Sequence, residues 1–199
     1  MSEPRKFWMR WRVRIGYPVA VLYWLLATPT RHWIAIGVAV AALGLLVRAA
    51  ASGELRKNQE LATSGIYSRT RNPLYLGSAI LAVGFIIAGH SLWAGLLVAL
   101  YFSVFYYAVM RNEEDDLRAK FGVAFQQYSA SVPLFFPKVF SAARLPSESE
   151  PKKTFSWQQF RRNREYKALI GTIGALAIVW LRMWLRTRYG YLLCFYCRR

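Results

Sequence analysis

The sequence predicts an all-α fold: a polytopic helical membrane bundle of four to five transmembrane helices, with a pocket at the cytoplasmic face. Three observations predict it. First, 55% of the 199 residues are hydrophobic and 16% aromatic, leaving a soluble domain of this size too little charge to cover its surface. Second, the chain contains uncharged runs approaching the ~20 residues that cross the hydrocarbon core of a bilayer: Ile15–Thr30, Trp33–Val47, Asn72–Gly89 and Ser91–Met110. Third, the net charge of +17 is gathered at the ends of those runs, where anionic headgroups attract cations.

The elements follow in order. Residues 1–14 are a basic lead-in with Arg5, Lys6, Arg10, Arg12 and Arg14. The first two runs make a tight hairpin that turns at Thr28-Pro29-Thr30. A loop over 48–72 follows, broken at Gly53 and Gly65. The third and fourth runs form a second hairpin turning at Gly89-His90-Ser91. Residues 112–130 predict a separate surface helix, because Glu114, Leu117, Phe121, Phe125 and Tyr128 step by three or four and share one face. Val132-Pro133 and Phe136-Pro137 end it. Residues 141–165 read as a linker, richest in Ser, Pro and charge over 141–156. A last apolar run, Ala168–Leu181, is short, with Lys167 and Arg182 placed to snorkel; it either spans or lies in the interface. The expected organisation is a bundle over 1–140, the linker, and a hydrophobic helix with a basic tail over 166–199.

Cations before the first run, in 48–72 and after the fourth run place the N-terminus and both large loops in the cytoplasm by the positive-inside rule. The expected location is a multi-pass integral membrane protein, in the inner membrane if the source is bacterial. The N-terminal cations lack the small-residue cleavage site of a signal peptide. No nucleic-acid-binding motif accompanies the charge, so nucleic acid is not an expected partner. Cys194 and Cys197 near the end are a weak metal signal alone. His32 and His90 fall at the opposite membrane face from the cytoplasmic loops, so no metal site is expected.

Two motifs carry the chemistry. Upstream of the second hairpin lies Arg71-Asn72-Pro73-Leu74-Tyr75-Leu76-Gly77; then come 39 residues, Asn72 to Met110, with no Asp, Glu, Lys or Arg. Directly after them, Arg111-Asn112 leads into Glu113-Glu114-Asp115-Asp116, four of only ten acids in the chain. A helical hairpin returns to the face it left, so the two motifs meet. Asn72 and Pro73 suit the N-cap and first position of a helix. A helix N-terminus with Arg71 beside it is a receptor for a carboxylate or phosphate, and Tyr75 and Gly77 sit one turn inside. Glu113 and Glu114 border the apolar stripe of the following helix, whereas Asp115 and Asp116 are expected to face water. A ligand bearing both a carboxylate and a cationic centre satisfies the pair of motifs.

These residues resemble a known family. Gly65-x-Tyr67, Arg71-Asn72-Pro73-x-Tyr75-x-Gly77, the hairpin, Glu113-Glu114-x-x-Leu117, Phe121-Gly122-x-x-Phe125-x-x-Tyr128 and Val132-Pro133-x-x-x-Pro137 look like the isoprenylcysteine carboxyl methyltransferase and phospholipid methyltransferase superfamily, over roughly residues 44–137. The resemblance implies an integral-membrane methyltransferase that uses S-adenosylmethionine. It nominates Arg71, Asn72, Tyr75, Gly77, Glu113 and Glu114 as cofactor-binding, and no catalytic residue. One position departs: eukaryotic members typically have His where this chain has Asn72, and Asn cannot act as a base near neutral pH. The expected acceptor is lipophilic, with an isoprenyl-cysteine carboxylate, a phospholipid amine and smaller lipophilic acceptors all open, and membrane lipids are the other expected partners. Two rival functions stand beside this one. They are a related membrane reductase using a nicotinamide cofactor and a non-catalytic lipid-binding membrane protein.

Overall fold

The computed structural model describes residues 3–56, 60–138 and 155–190, with side chains described from residue 10 onward. Cys194 and Cys197, and most of the expected linker, lie outside the described residues.

The described residues form six α-helices: α1 (Glu3–Leu26), α2 (Arg31–Glu54), α3 (Pro73–Gly89), α4 (Leu92–Ser131), α5 (Trp157–Arg162) and α6 (Tyr166–Tyr189), with a short 3-10 turn at Gly65–Ser68. Helices α2, α4 and α6 are long and apolar enough to cross a membrane, and α3 is a shorter apolar helix. Tyr17, Val21, Leu46, Leu96, Leu100, Ile170 and Ile173 are exposed. So much outward-facing apolar area marks a membrane surface.

Both hairpins turn where the sequence places them, and the turns are tied together. The Thr28 N–H donates to the Gly89 carbonyl at 2.8 Å, the Thr28 hydroxyl to the His90 carbonyl at 2.5 Å, and Trp33 stacks on His90 at 4.8 Å. This is the turn end of the bundle. The other end, where α2 finishes, α3 begins and α4 leaves the apolar stretch, carries the two motifs.

Helices α2 and α3 pack backbone to backbone. A Cβ on Gly37 would lie 2.5 Å from the Gly84 carbonyl oxygen, one on Gly44 2.7 Å from that of Gly77, and one on Gly84 2.8 Å from the Gly37 oxygen. Small residues at such crossings let helices meet where lipid supplies no hydrophobic drive between them.

Two elements differ from expectation. The predicted surface helix is not separate: α4 runs unbroken through Arg111-Asn112-Glu113-Glu114, since nothing from Met110 to Lys120 is a helix breaker. The chain departs from helical geometry only at Gly122, whose φ of 51° is left-handed. That bend turns Phe125 and Tyr128 back onto Val132, Leu61 and Leu117 as a second small core. In addition, α6 extends ten residues beyond its uncharged run and is fastened at both ends. Glu165, just before it, takes a two-pronged ion pair from Arg48 at 2.7 and 3.0 Å. Near its far end Arg182 donates to the Leu25 carbonyl at 2.8 Å and lies over the Trp24 ring. It thus runs along the bundle from end to end. The segment before it docks through Asn163, whose amide donates to the Ser52 and Leu55 carbonyls.

Candidate functional site

The site is built where the start of α3 meets the middle of α4. Arg71 reaches across to Glu114, and Arg111, one turn before Glu114, donates to its second oxygen at 3.1 Å. Glu114 is 4% exposed, so this carboxylate is held between two guanidiniums at the edge of the apolar stretch. One turn into α3, the Tyr75 hydroxyl donates to Glu113 at 2.8 Å. The two motifs, 38 to 43 residues apart, are therefore joined by direct side-chain contacts. Asp115 is exposed and Asp116 half-buried.

The segment after α4 roofs the site. The Arg71 N–H donates to the Pro133 carbonyl at 2.9 Å, the Thr70 hydroxyl to the Phe135 carbonyl at 2.8 Å, and the Asn72 amide to the Leu134 carbonyl at 3.0 Å. This changes one expectation. Helix α3 does begin at Pro73, but the Asn72 side chain makes no capping bond; it spends its amide on the roof. Asn72 is 8% exposed and Pro73 fully buried, so the helix start lies under protein. Donors for an anion come from the Arg71 side chain instead. Its Nε is buried and has no hydrogen-bond partner among the described residues.

Gly77 sits on a different face. A Cβ there would meet Arg48 at 2.6 Å and the Gly44 oxygen at 2.8 Å, so the group that approaches it closely is α2.

Beside the site, a cavity of about 530 Å³ opens between α1, α3, α4 and α6. Its lining is apolar, including Val19, Leu81, Phe85 and Val179, with Arg48 and Ser78 at a polar edge. The volume suits one drug-sized molecule. Tyr106 lines it and packs edge-on against Tyr75 at 5.8 Å, so one aromatic pair separates the apolar chamber from the Glu113 carboxylate.

Several site features escaped the sequence reading. In the sequence Arg111 reads as a lead-in to the acids, although its spacing of three from Glu114 is the helical pairing distance. The Arg48–Glu165 pair joins residues 117 apart; its only local sign is a lone acid among the cations of Arg161 to Lys167. The chamber owes two walls to α1 and α6, outside the motifs altogether.

A family model for phospholipid methyltransferases matches residues 34–124. The chain is 33% identical over 138 residues to the cobalt-zinc-cadmium resistance protein CzcN of Cupriavidus metallidurans, covering 65% of this chain and 62% of that protein. It is 35% identical over 144 residues to the nickel-cobalt-cadmium resistance protein NccN of Alcaligenes xylosoxydans xylosoxydans, covering 64% and 66%. To methanethiol S-methyltransferase 2 of Bradyrhizobium diazoefficiens it is 33% identical over 96 residues, 47% of this chain and 35% of that one. The chain thus spans less than two thirds of the length of these relatives. No solved structure matches significantly. The resemblance to the isoprenylcysteine carboxyl methyltransferase and phospholipid methyltransferase superfamily, first carried by the motifs, is borne out by these matches.

Proposed function

From that family likeness we propose that the chain is an S-adenosylmethionine-dependent integral-membrane methyltransferase acting on a lipophilic acceptor at the cytoplasmic face. The observation that carries the proposal is the joining of Arg71 to Glu114 and of Tyr75 to Glu113, with Tyr75 packed against Tyr106 in the lining of an apolar chamber. When bound, S-adenosylmethionine supplies a methyl group on a sulfonium; the bond from acceptor to methyl forms as the bond to sulfur breaks, and the electron pair stays on sulfur.

The residues present fit that cofactor. Arg71, held in place by Glu114, offers its buried Nε to the carboxylate. Glu113, oriented by the Tyr75 hydroxyl, accepts from the ammonium or a ribose hydroxyl. Arg111 balances Glu114 so that Arg71 is not fully neutralised. The chamber, with its apolar lining, holds the acceptor. Holding two reactants in line is the main source of rate in such a displacement. Asn72 removes no proton, which suits a carboxylate acceptor that needs no base; an amine must arrive neutral and a thiol must ionise.

The printed names of two relatives refer to metal resistance. Among the described residues no group of three or more His, Cys, Asp or Glu side chains could hold a metal ion, so nothing there favours a metal-binding function over methyl transfer. The test is to incubate the full chain in lipid with a donor labelled in its methyl group and a membrane extract. Label is expected in an extractable lipophilic product, and lost with Arg71→Ala at matched folded protein. A wild-type protein that binds the donor yet labels no such product would overturn the proposed acceptor class.

A further inference from the structure

One wall of the chamber lies outside the family likeness. Helix α6 falls beyond the matched residues 34–124, and it faces the chamber with Ala168, Gly171, Thr172, Ala175, Ile178 and Val179. Among these six, Thr172 alone has a polar side chain. It is 7% exposed, and its hydroxyl makes no hydrogen bond to any described residue. Hydroxyls inside helices commonly turn back onto the preceding turn. The Ser78 hydroxyl does so, donating to the Leu74 carbonyl at 3.0 Å, and the Thr187 hydroxyl, on α6 itself, donates to that of Trp184 at 2.9 Å. Thr172 does not. A buried hydroxyl left unpaired is costly, and this one borders a space with room for a partner.

Most other polar groups of the lining are spent. Tyr106 packs on Tyr75 at the donor end. Away from it, the Tyr23 hydroxyl donates to the Phe85 carbonyl at 2.6 Å, that of Tyr101 to the Arg12 carbonyl at 2.8 Å, and the Trp24 indole to the Ile178 carbonyl at 3.3 Å. Arg48 is the one charged residue of the lining. Glu165 neutralises it in the two-pronged pair, and Leu74 and Ser78 take further donors. The lining thus offers a ligand no unpaired charge and, on α6, one spare neutral hydroxyl.

We propose that Thr172 is a specificity-determining residue, whose hydroxyl bonds an uncharged oxygen or nitrogen in the otherwise apolar body of the acceptor: a carbonyl, ether, hydroxyl or amide. This rests on the methyl-transfer reading above. Thr172 follows Glu165 by seven residues, about 10 Å along a helix, so the bonded atom belongs to the body and not to the reacting end. A charge in that body would be buried without a free counter-ion. A body of pure hydrocarbon would leave Thr172 unpaired.

The experiment uses the full chain in lipid as wild type, Thr172→Val and Thr172→Ser, with a donor labelled in its methyl group and graded amounts of membrane extract as the acceptor source. Thr172→Val keeps the shape and removes the hydroxyl. It is expected to raise the half-saturating amount of extract about two- to tenfold, the size of one neutral hydrogen bond, with maximal rate and donor affinity retained. It is expected to melt no lower than wild type, since it removes an unpaired hydroxyl. Thr172→Ser is expected to return half-saturation toward wild type. Mass spectrometry of the labelled product is expected to show an uncharged oxygen or nitrogen besides the methylated atom. Unchanged half-saturation in Thr172→Val overturns the assignment and leaves methyl transfer standing, as does a product whose body is pure hydrocarbon or carries a charge. A clear fall in the melting temperature of Thr172→Val overturns it too, because the hydroxyl then has a partner within the fold. A wild type that binds the donor and labels no lipophilic product overturns the acceptor reading, and this assignment with it.

Discussion

The two faces of α3 are opposites. Toward α2 it meets backbone with backbone, through Gly77 and Gly84 against Gly44 and Gly37. Toward α4 and α1 it leaves a chamber of about 530 Å³, with Tyr106 in its lining and Tyr75 packed against Tyr106. One face has no room for a methyl group; the other has room for a whole ligand. The lesson is mechanical. Arg71 and Tyr75 sit at the start of a helix that its tight side holds still, so the open side can present them at fixed geometry to Glu113 and Glu114. The family match covers the tight pair and the start of the open side, while α1 and α6 supply the remaining chamber walls.

The strongest way to break this comparison is Gly84→Leu. Its Cβ would fall 2.8 Å from the Ala41 nitrogen and the Gly37 oxygen, and backbone cannot step aside. The expected loss of stability is about 3 kcal/mol, the upper part of the overpacking range, read as a lower melting temperature or a lost fold. Tolerance of Leu there would mean that the two helices are not seated as described.

On the site side, Arg71→Ala leaves Glu114 with Arg111 alone, and Arg71→Lys loses the guanidinium fork. Donor affinity is expected to fall by roughly 1.5–3 kcal/mol in the alanine variant and by less in the lysine variant. Equilibrium titration at matched folded protein checks it; unchanged affinity in Arg71→Ala would reduce that motif to a lipid anchor.

The smaller effect sharpens the open side. A Cβ on Gly171, which lines the chamber, meets nothing within 4 Å. Gly171→Leu is expected to leave stability unchanged or raise it by up to about 1 kcal/mol through helix propensity. Acceptor turnover should drop while donor binding stays. Retained turnover of a bulky acceptor would remove the chamber from the account. Smallest of all is Asp115→Asn, at an exposed position, expected within about 0.5 kcal/mol in both stability and binding.

The legible parts were those written in local pattern. Uncharged runs, turn residues and a three-four stripe placed both hairpins, the buried Glu114 and the Phe125–Tyr128 core. The return of a hairpin to its starting face placed Arg71 beside the acid cluster. What was not legible depends on partners distant in sequence. Whether Asn72 caps its own helix or bonds Leu134 is decided by where the chain goes after Gly122. Gly77 reads as a site glycine until Gly44 is seen opposite it. Arg48 and Glu165 look like ordinary boundary charges until the docking of α6 joins them. The uncharged length of Ala168–Leu181 understated α6 because Arg182 is buried against Trp24 and Leu25 instead of ending the helix.

The central claim is that two motifs on either side of α3 and α4 form one donor site. Calorimetric titration of S-adenosylmethionine into the full chain in lipid, as wild type and as Glu114→Gln, tests it most directly. The account predicts saturable binding by wild type that S-adenosylhomocysteine competes away. It also predicts a loss of roughly 1.5–3 kcal/mol of binding free energy in the variant, the range for hydrogen bonds to charged groups. No heat and no competition on folded wild-type protein, or equal affinity in Glu114→Gln, would contradict it.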